Sequence, residues 1–465
     1  MLIKKCFSFL SFSAFIVSLS HCFMSFAASS NAPTKNNIIS LAQITKDITY
    51  LASDELKGRG NFSSELSQAA NYIAERFKES GLIGANNIGA QGFLQTYKIS
   101  KVTSEKLTLV LNDQTVNSEN LTIVSTVNNI SWQLSKETKN SAFSLHSINK
   151  NDDMQAILNV LNQQGGNHLV LLNPKHKKLF KRYQHYFQQG TTTLYQKKTH
   201  PAESGTIIIA LTDISVDKLK NMQATATNTT TTTELNNVVA MLPGATKPNE
   251  IVLYSAHYDH LGTKNTEGDN IFNGADDDAS GTTAIINIAQ YYAKQGKNAR
   301  TLMFAAFSAE EIGGFGSQYF SKQLNPKQIT AMINIEMIGK PSKFGIGTLW
   351  MTGMQHSNLG KQLNQVLANS GRKIHNDPNP EYGLFYRSDN ASLAKLGVPA
   401  HSFSSAQLDQ DKHYHHVSDE ISSLNLSSMH QVIQALTIAT QPLVNGLITP
   451  SRIDTEKVNE KGLIF

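Results

Sequence analysis

Acidic residues and histidines stand in four short segments of this 465-residue chain, where a hydrolase with two metal ions needs them. Two metal ions about 3.5–4 Å apart need a bridging carboxylate, further His or carboxylate ligands, and an unligated base beside the reacting water. The segments are SAHYDH with His257, NGADDDASG with Asp277, FSAEE with Glu310 and Glu311, and HYHHVSDE with His415. The chain therefore offers a candidate for each role.

His257 and Asp259 form an H-x-D pair after the apolar run IVLYSA. In a strand, residues two apart point to the same side, so both side chains would face one site. A metal-bound imidazole needs its second ring nitrogen held, and Asp259 can supply that support. Taken alone the pair is weak evidence, because a hydrogen-bonded structural histidine would look the same.

Three adjacent aspartates, Asp276 to Asp278, stand between glycines just before a predicted helix that starts near Ser280. Helix capping explains one or two of them, since Asp and Ser satisfy free N–H groups at a helix start. Three neighbouring carboxylates also repel one another, and a bound cation relieves that repulsion. We predict the middle one, Asp277, as the bridging ligand.

Glu310 and Glu311 follow the apolar run TLMFAAF, where paired carboxylates are unusual as ordinary surface. Neighbouring side chains diverge, so one can bind metal while the other takes a proton from water. We interpret Glu311 as the ligand and Glu310 as the general base. A solvated helix start is the alternative when the pair is viewed alone.

His413, His415 and His416 lie within four positions of one another, and a histidine-rich stretch inside a folded domain favours metal binding. His415 follows Tyr414, whose phenol can stabilise the oxyanion formed when water attacks a carbonyl.

Each cluster follows an apolar segment that reads as a strand: IVLYSA before His257, TLMFAAFSA before Glu310 and AMINI before Glu336. In an α/β sheet, the carboxyl ends of parallel strands meet at one crevice. The repeated placement therefore predicts that these residues share one site.

The remaining pattern predicts the elements around this sheet. Residues 41–83 read as two amphipathic helices, and short alternating strands from about 105 to 235 indicate an inserted domain. From Asn237 apolar strands alternate with helices, which indicates an α/β sheet covered on both faces. The threonine run Thr229–Thr233 fits a returning linker or an edge strand, and we favour the linker.

The first residues have the pattern of an export signal. Lys4 and Lys5 precede an apolar run from Cys6 to Phe23, and Ser25-Phe26-Ala27 offers small residues for a signal peptidase. We expect cleavage after Ala27 and a periplasmic or secreted protein. A retained membrane anchor is the alternative, although the run is short.

Composition excludes several classes of function. Both cysteines lie in the predicted leader, so thiolate ligands and a Cys nucleophile are excluded, which favours ions such as zinc or manganese. The formal charge of +5 falls to +3 without Lys4 and Lys5, too little to indicate nucleic-acid binding. Beyond the leader, no apolar run approaches the roughly 18 residues of a membrane span.

The ordered motifs H-x-D, G-A-D-D-D-A-S-G, A-E-E and Y-H-x-x-S-D resemble the M28 family of zinc peptidases, over residues 40–100 and 236–445. The resemblance implies a three-layer α/β/α sandwich with a mixed, mainly parallel central sheet, two Zn²⁺ ions per chain and peptide substrates. The β-rich α/β insertion is similar in position to a protease-associated or apical domain. The predicted parts are a signal peptide (1–27), a first catalytic part (28–105), the insertion (106–235), the main catalytic domain (236–450) and a tail (451–465).

The resemblance also implies the metal ligands. His257 holds one ion, Glu311 and His415 hold the other, and Asp277 bridges them. The family usually has Asp where this chain has Glu336 in NIEMIG. We keep Glu336 as the last ligand of the first ion, with its extra methylene absorbed by the backbone or by a different coordination mode.

Further roles follow from the same resemblance. Asp259 would orient His257, Glu310 would be the base, and Tyr414 the oxyanion donor. The stretch YRSDNASLAKLGVPA is similar to the family's R-S-D segment, and it suggests Arg387 and Asp389 as substrate contacts.

The leading hypothesis is an exported, zinc-dependent aminopeptidase in which Glu310 passes the proton of a metal-activated water to the leaving amine. A glutaminyl cyclase with one metal ion and a carboxypeptidase are the enzymatic alternatives. A binding protein on a peptidase fold would have lost the His and Glu positions that are present here. The oligomeric state and the preferred amino-terminal residue stay open.

Overall fold

The computed structural model describes residues 39–135, 142–195, 205–264 and 267–458. The predicted signal peptide, 1–27, and the end of the predicted tail lie outside these residues. The helices are α1 (Leu41–Leu51), α2 (Ser64–Glu79), α3 (Met154–Gln164), α4 (Lys177–Gln188), α5 (Gly281–Gln295), α6 (Phe315–Ser321), α7 (Leu359–Leu367), α8 (Asn390–Ala394) and α9 (Leu426–Val444). Within the described ranges, no helix has the length and apolar character needed to cross a membrane.

The strands, in chain order, are β1 (Ile83–Gly84), β2 (Leu94–Leu111), β3 (Gln114–Thr115), β4 (Leu121–Ser125), β5 (Asn129–Leu134), β6 (Ser144–Ile148), β7 (Gly166–Leu172), β8 (Thr191–Leu194), β9 (Gly205–Leu211), β10 (Met222–Leu242), β11 (Lys247–His257), β12 (Gly262–Thr263), β13 (Ile271–Phe272), β14 (Arg300–Phe307), β15 (Ile329–Ile335), β16 (Leu349–Met351), β17 (Ile374–Asn376) and β18 (Ala400–Ser404).

The main sheet is mixed, with strand order β17-β16-β18-β15-β11-β14-β10-β2-β3. Its centre is parallel, because β11 pairs in parallel with both β14 and β15, and β15 pairs in parallel with β18. Antiparallel strands flank this centre, β10 on one side and β16 on the other. The parallel centre brings the carboxyl ends of β11, β14 and β15 to one edge.

Helices cover both faces of this sheet. Alternate residues of β14 point to opposite faces, with Phe304 in one core and Met303 in the other, as the two-residue period of a strand requires. The first core also contains residues of α1, α2, α5, α7 and α9, and the second contains residues of α6 and α8. This arrangement confirms the predicted α/β/α sandwich.

The two predicted amino-terminal helices are α1 and α2. Ser40 and Ser63 cap them by accepting hydrogen bonds from Gln43 N and Leu66 N. Ile48 and Ile73, on the predicted apolar stripes, are fully buried. Both helices therefore pack their apolar stripes against the rest of the fold.

The segment between β2 and β10 forms a second sheet, with strand order β4-β9-β7-β6. Its buried residues include Leu158 of α3 and Phe180 of α4, which pack against Ile209 of β9. The predicted insertion boundaries at 106 and 235 fall inside β2 and β10, which are paired along most of their length. Division of the chain into domains at these positions stays a prediction.

The threonine run is part of a strand, so the linker interpretation is wrong. Thr229–Thr233 lies within β10 and pairs antiparallel with Ile99–Thr103 of β2. The β-branched threonine side chain suits an extended backbone, and this propensity outweighs the low complexity of the run.

Candidate metal centre

Three neighbouring parallel strands deliver candidate ligands to one edge of the sheet. β11 ends at His257, β15 ends one residue before Glu336, and β14 ends three residues before Glu310. β11 lies between the other two. Convergence of strand ends therefore explains how segments about 80 residues apart meet in one cleft.

Asp277 lies between two sets of candidate ligands. Its Oδ1 is 3.2 Å from His257 Nε2, and its Oδ2 is 3.3 Å from His415 Nε2. Oε2 of Glu311 is also 3.3 Å from His415 Nε2. Ligands of one tetrahedral zinc ion, with bonds of 2.0–2.2 Å, lie about 3.4 Å apart. Each oxygen of Asp277 therefore lies at the distance expected between two ligands of one zinc ion. Oδ1 has this distance to His257, and Oδ2 has it to His415.

The donor atoms fit a metal pair chemically as well as by spacing. They are imidazole nitrogens and carboxylate oxygens, the set that zinc accepts when thiolates are absent. His257 Nε2 is buried, and its contact with Asp277 Oδ1 at 3.2 Å lacks the geometry of a hydrogen bond. An unpaired buried nitrogen is unfavourable in a folded protein, and metal coordination would satisfy it.

Electrostatics at the site reflect crowded carboxylates. Burial, together with the charges of Glu336, Asp389 and Glu311, raises the pKa of Glu310 well above its usual value. Burial also opposes ionisation of Asp277, but contacts with His257 and His415 hold its pKa well below the usual value. A bound cation would stabilise the ionised form of the whole cluster.

The three adjacent aspartates, Asp276 to Asp278, make different contacts. Asp278 accepts hydrogen bonds from Gly281 N and Met337 N, so it anchors the start of α5. Asp276 accepts from Gly339 N at 2.7 Å. The outer two aspartates thus hold the backbone, as the capping interpretation describes, and the middle one faces the cleft.

Asp259 supports the site in two ways. Its main-chain oxygen lies 3.1 Å from His257 Nδ1, whereas its carboxylate is 3.8 Å from that nitrogen. The carboxylate instead accepts hydrogen bonds from Glu310 N and Glu311 N, at 3.1 and 3.2 Å, and from Asn61. The predicted orienting contact therefore comes from the Asp259 carbonyl, and the carboxylate fixes the Glu310–Glu311 turn.

Backbone strain accompanies the site. Ala309, Met337 and His415 have φ values of 59°, 51° and 55°. Non-glycine residues adopt this left-handed region at a cost of about 1–3 kcal/mol, and such residues concentrate at functional sites. Each of the three is a candidate ligand or base, or lies directly beside one.

Glu336 reaches the cleft and is held at one oxygen. Its Oε2 accepts hydrogen bonds from the Ser388 hydroxyl and from Asn334 Nδ2. The other oxygen has no hydrogen bond to these groups, and Glu336 lines the same cleft as Asp277, Glu310 and Glu311. Glu336 has one methylene more than Asp, and the Ser388 hydroxyl and the Asn334 amide hold its carboxylate in the resulting position.

The two predicted substrate contacts, Arg387 and Asp389, differ in their access to the cleft. Arg387 lines the cleft, as does Tyr414, whose ring stacks on His415 at 4.0 Å between centroids. Asp389 is 1% exposed, and neither of its oxygens has a hydrogen-bond partner. Asp389 therefore lies beneath the cleft, with no surface to offer a substrate.

Sequence reasoning missed several residues that hold this site. His260 contacts Glu311, Ser388 contacts Glu336, and the Asp419 carboxylate accepts from the main chain of Asp277. His260 was detectable in principle, because SAHYDH places it directly after the H-x-D pair. Ser388 and Asp419 stand in the R-S-D and Y-H-x-x-S-D motifs, but their contacts join distant segments, and neither motif indicates the partner.

Known proteins are similar to this chain in sequence. Residues 237–439 match the model of Peptidase family M28. A probable leucine aminopeptidase of Trichophyton verrucosum is 30% identical over 191 residues, 40% of this chain and 50% of that protein. Leucine aminopeptidase 1 of Arthroderma gypseum is 28% identical, with coverage of 42% and 54%. The chain thus spans about half the length of these curated relatives.

Two solved structures share the fold. An aminopeptidase from Aneurinibacillus sp. strain AM-1 aligns with a TM-score of 0.52 at 17% identity, covering 91% of this chain and 97% of that one. A zinc aminopeptidase from Bacillus subtilis aligns with a TM-score of 0.52 at 14% identity, with coverage of 92% and 98%. The resemblance to peptidase family M28 that the ordered motifs predicted is thus confirmed over residues 237–439.

Proposed function

We propose that this protein is an exported, zinc-dependent aminopeptidase that uses two metal ions. The observation that carries the proposal is the position of Asp277, whose two oxygens each face a different imidazole at 3.2–3.3 Å. The ligands are His257 and Glu336 on one side and Glu311 and His415 on the other. The curated relatives named leucine aminopeptidases support the choice of reaction.

Two zinc ions bound there would activate a water molecule and polarise the scissile carbonyl. The Glu310 carboxylate lines the cleft and, within the described residues, accepts no hydrogen bond from a protein group, which leaves it available to accept the water proton. Glu310 then donates that proton to the leaving amine. Tyr414 faces the same cleft, and its hydroxyl is the donor for the oxyanion.

The cleft also has an apolar wall that suits an apolar amino-terminal side chain. Met337, Trp350, Leu384 and Ala406 form a small buried cluster, with Leu408 packed against it. All five line the cleft beside the candidate ligands. The Trp350 indole donates to the Ala406 carbonyl at 3.0 Å, so the wall is held in place. Leu, Met and Phe substrates should therefore be preferred over Lys and Glu substrates.

Replacement of Glu310 by Gln tests the mechanism. The variant should bind as much zinc as the wild type and fail to hydrolyse aminoacyl chromogenic substrates. Glu75→Gln, which changes a 57%-exposed carboxylate far along the chain, is the matched control and should keep full activity. Turnover retained by Glu310→Gln would contradict the assignment of the base.

Free and N-acetylated peptides separate an aminopeptidase from a carboxypeptidase. An aminopeptidase requires the free amine, so acetylation should abolish hydrolysis. Export is tested separately by determining the amino terminus of protein secreted by the cell, which should begin at Ala28.

A further inference from the structure

His260 lies beside the candidate ligands of the second metal ion. Its side chain is fully buried, and its Nδ1 is 2.6 Å from Oε1 of Glu311. Its ring meets the ring of His415 edge to face, at 5.8 Å between centroids. One nitrogen of His260 and carboxylate oxygens of Asp277 and Glu311 lie within 4.8 Å of one another. The residue could thus be a ligand itself or could act on a ligand.

The distance between His260 Nδ1 and Glu311 Oε1 indicates the role of that nitrogen, while Nε2, the other ring nitrogen, is buried without a hydrogen-bond partner. Two ligand atoms of one zinc ion lie about 3.4 Å apart, so atoms 2.6 Å apart are too close to share an ion comfortably. That distance suits a short charge-assisted hydrogen bond. An ionised carboxylate can only accept, so Nδ1 of His260 carries the proton and donates it.

This hydrogen bond distinguishes the two oxygens of Glu311. Oε1 is occupied by His260, and Oε2 lies 3.3 Å from His415 Nε2. We propose that His260 is a positioning residue, which holds Oε1 of Glu311 so that Oε2 faces the second metal ion. The inference rests on the proposed two-metal function and assigns a residue that the ligand set does not include.

Contacts with Arg59 and Gly274 fix the position of His260. Its main-chain nitrogen donates to Arg59 O at 3.1 Å. Gly274, with φ of 57°, lies against the ring, and a methyl group at that glycine would be 2.5 Å from His260 Cγ. Only glycine leaves room there, so the backbone of Gly274 packs directly against the imidazole. This packing holds the ring in one orientation toward Glu311.

Three substitutions separate the hydrogen bond from a general packing role. The side-chain amide of Asn can occupy the place of Nδ1, whereas that of Gln reaches the place of Nε2. In full-length protein, competition between zinc alone and a chromogenic chelator would give the affinity of each site. We expect His260→Ala and His260→Gln to lose about 10–100-fold in affinity at the second site and to keep the first. His260→Asn should bind close to wild type.

His401→Asn is the control, because it removes another buried imidazole, whose ring nitrogens bond to Ser357 and Thr352 and to none of the candidate ligands. It should leave both zinc affinities unchanged. Wild-type second-site affinity in His260→Ala, or equal affinities in the Asn and Gln variants, would overturn the inference. Wild-type protein that binds fewer than two zinc ions would contradict the two-metal function and this inference together.

Discussion

Oδ2 of Asp419 lies 3.1 Å from the main-chain nitrogen of Asp277 and accepts its hydrogen. The same carboxylate accepts from Asp276 N, and the Asp419 carbonyl accepts from Ala275 N. Asp419 belongs to the segment that carries His415. One segment therefore supplies a candidate ligand and also fixes the backbone of Asp277, the proposed bridging carboxylate.

Replacing Asp419 by Asn should weaken zinc binding. The amide can accept through one oxygen only, and its NH₂ group would face the N–H donors of Asp276 and Asp277. We expect a loss of about 10–100-fold in zinc affinity and in kcat/KM, as for other residues that support ligands. Zinc per chain and hydrolysis of aminoacyl substrates are the measurements. Glu420→Gln, at the next residue, should behave as wild type; an unaffected Asp419→Asn would refute the argument.

The convergence of His257, Glu310 and Glu336 was predictable because it depends on strand order alone, and apolar strands are visible in sequence. The contacts of Asp419 and His260 were not. They depend on how loops leave the strands, including the left-handed backbone of Met337 and His415. No local pattern encodes such angles in a non-glycine residue, so the candidate ligands were easier to predict than the residues that hold them.

Shortening Glu336 to Asp should lower zinc affinity at the first site, even though Asp is the usual residue of the family. Ser388 and Asn334 hold Oε2 of Glu336, and loss of one methylene would withdraw the carboxylate from both donors. We expect about a tenfold loss, and a smaller one for Ser388→Ala. Chelator competition measures both. An increase in the zinc affinity of Glu336→Asp would show that Glu336 is a weaker ligand than Asp and that its contacts with Ser388 and Asn334 do not favour Glu.

Arg59 should contribute more to stability than an ordinary charged residue. It is fully buried and donates to the carbonyls of Leu51, Tyr258, Asn273 and Gly274. Burial lowers the pKa of its guanidinium to about 10, while the charges of nearby aspartates oppose this. Arg59→Met would leave buried carbonyls without donors, at roughly 1–3 kcal/mol each.

We therefore expect Arg59→Met to lose at least ~3 kcal/mol in the free energy of unfolding, measured with urea. Arg182→Met, at an exposed position, should change it by less than about 0.5 kcal/mol. Equal effects of the two substitutions would contradict this role for Arg59.

The buried imidazole of His401 should make stability depend on pH. Its Nδ1 donates to Thr352 O at 2.9 Å, and its Nε2 accepts from the Ser357 hydroxyl at 2.7 Å, so the neutral ring is fully bonded. Burial lowers its pKa to about 4, although the Thr352 contact partly opposes the shift. Unfolded histidine titrates near pH 6.5. Between these values the unfolded state binds more protons, so stability falls as the pH falls.

The contribution of His401 is complete above about pH 6.5 and is lost by about pH 4, with a total of roughly 3 kcal/mol. His401→Gln lacks this titration, so the difference in unfolding free energy between wild type and variant should shrink steadily from pH 7 to pH 4. Both proteins are treated with chelator, so that loss of metal does not contribute. Taking the difference between the two proteins also cancels the contribution of carboxylates that titrate in the same pH range, because both proteins contain them. A difference that stays constant with pH would show that His401 does not titrate on unfolding.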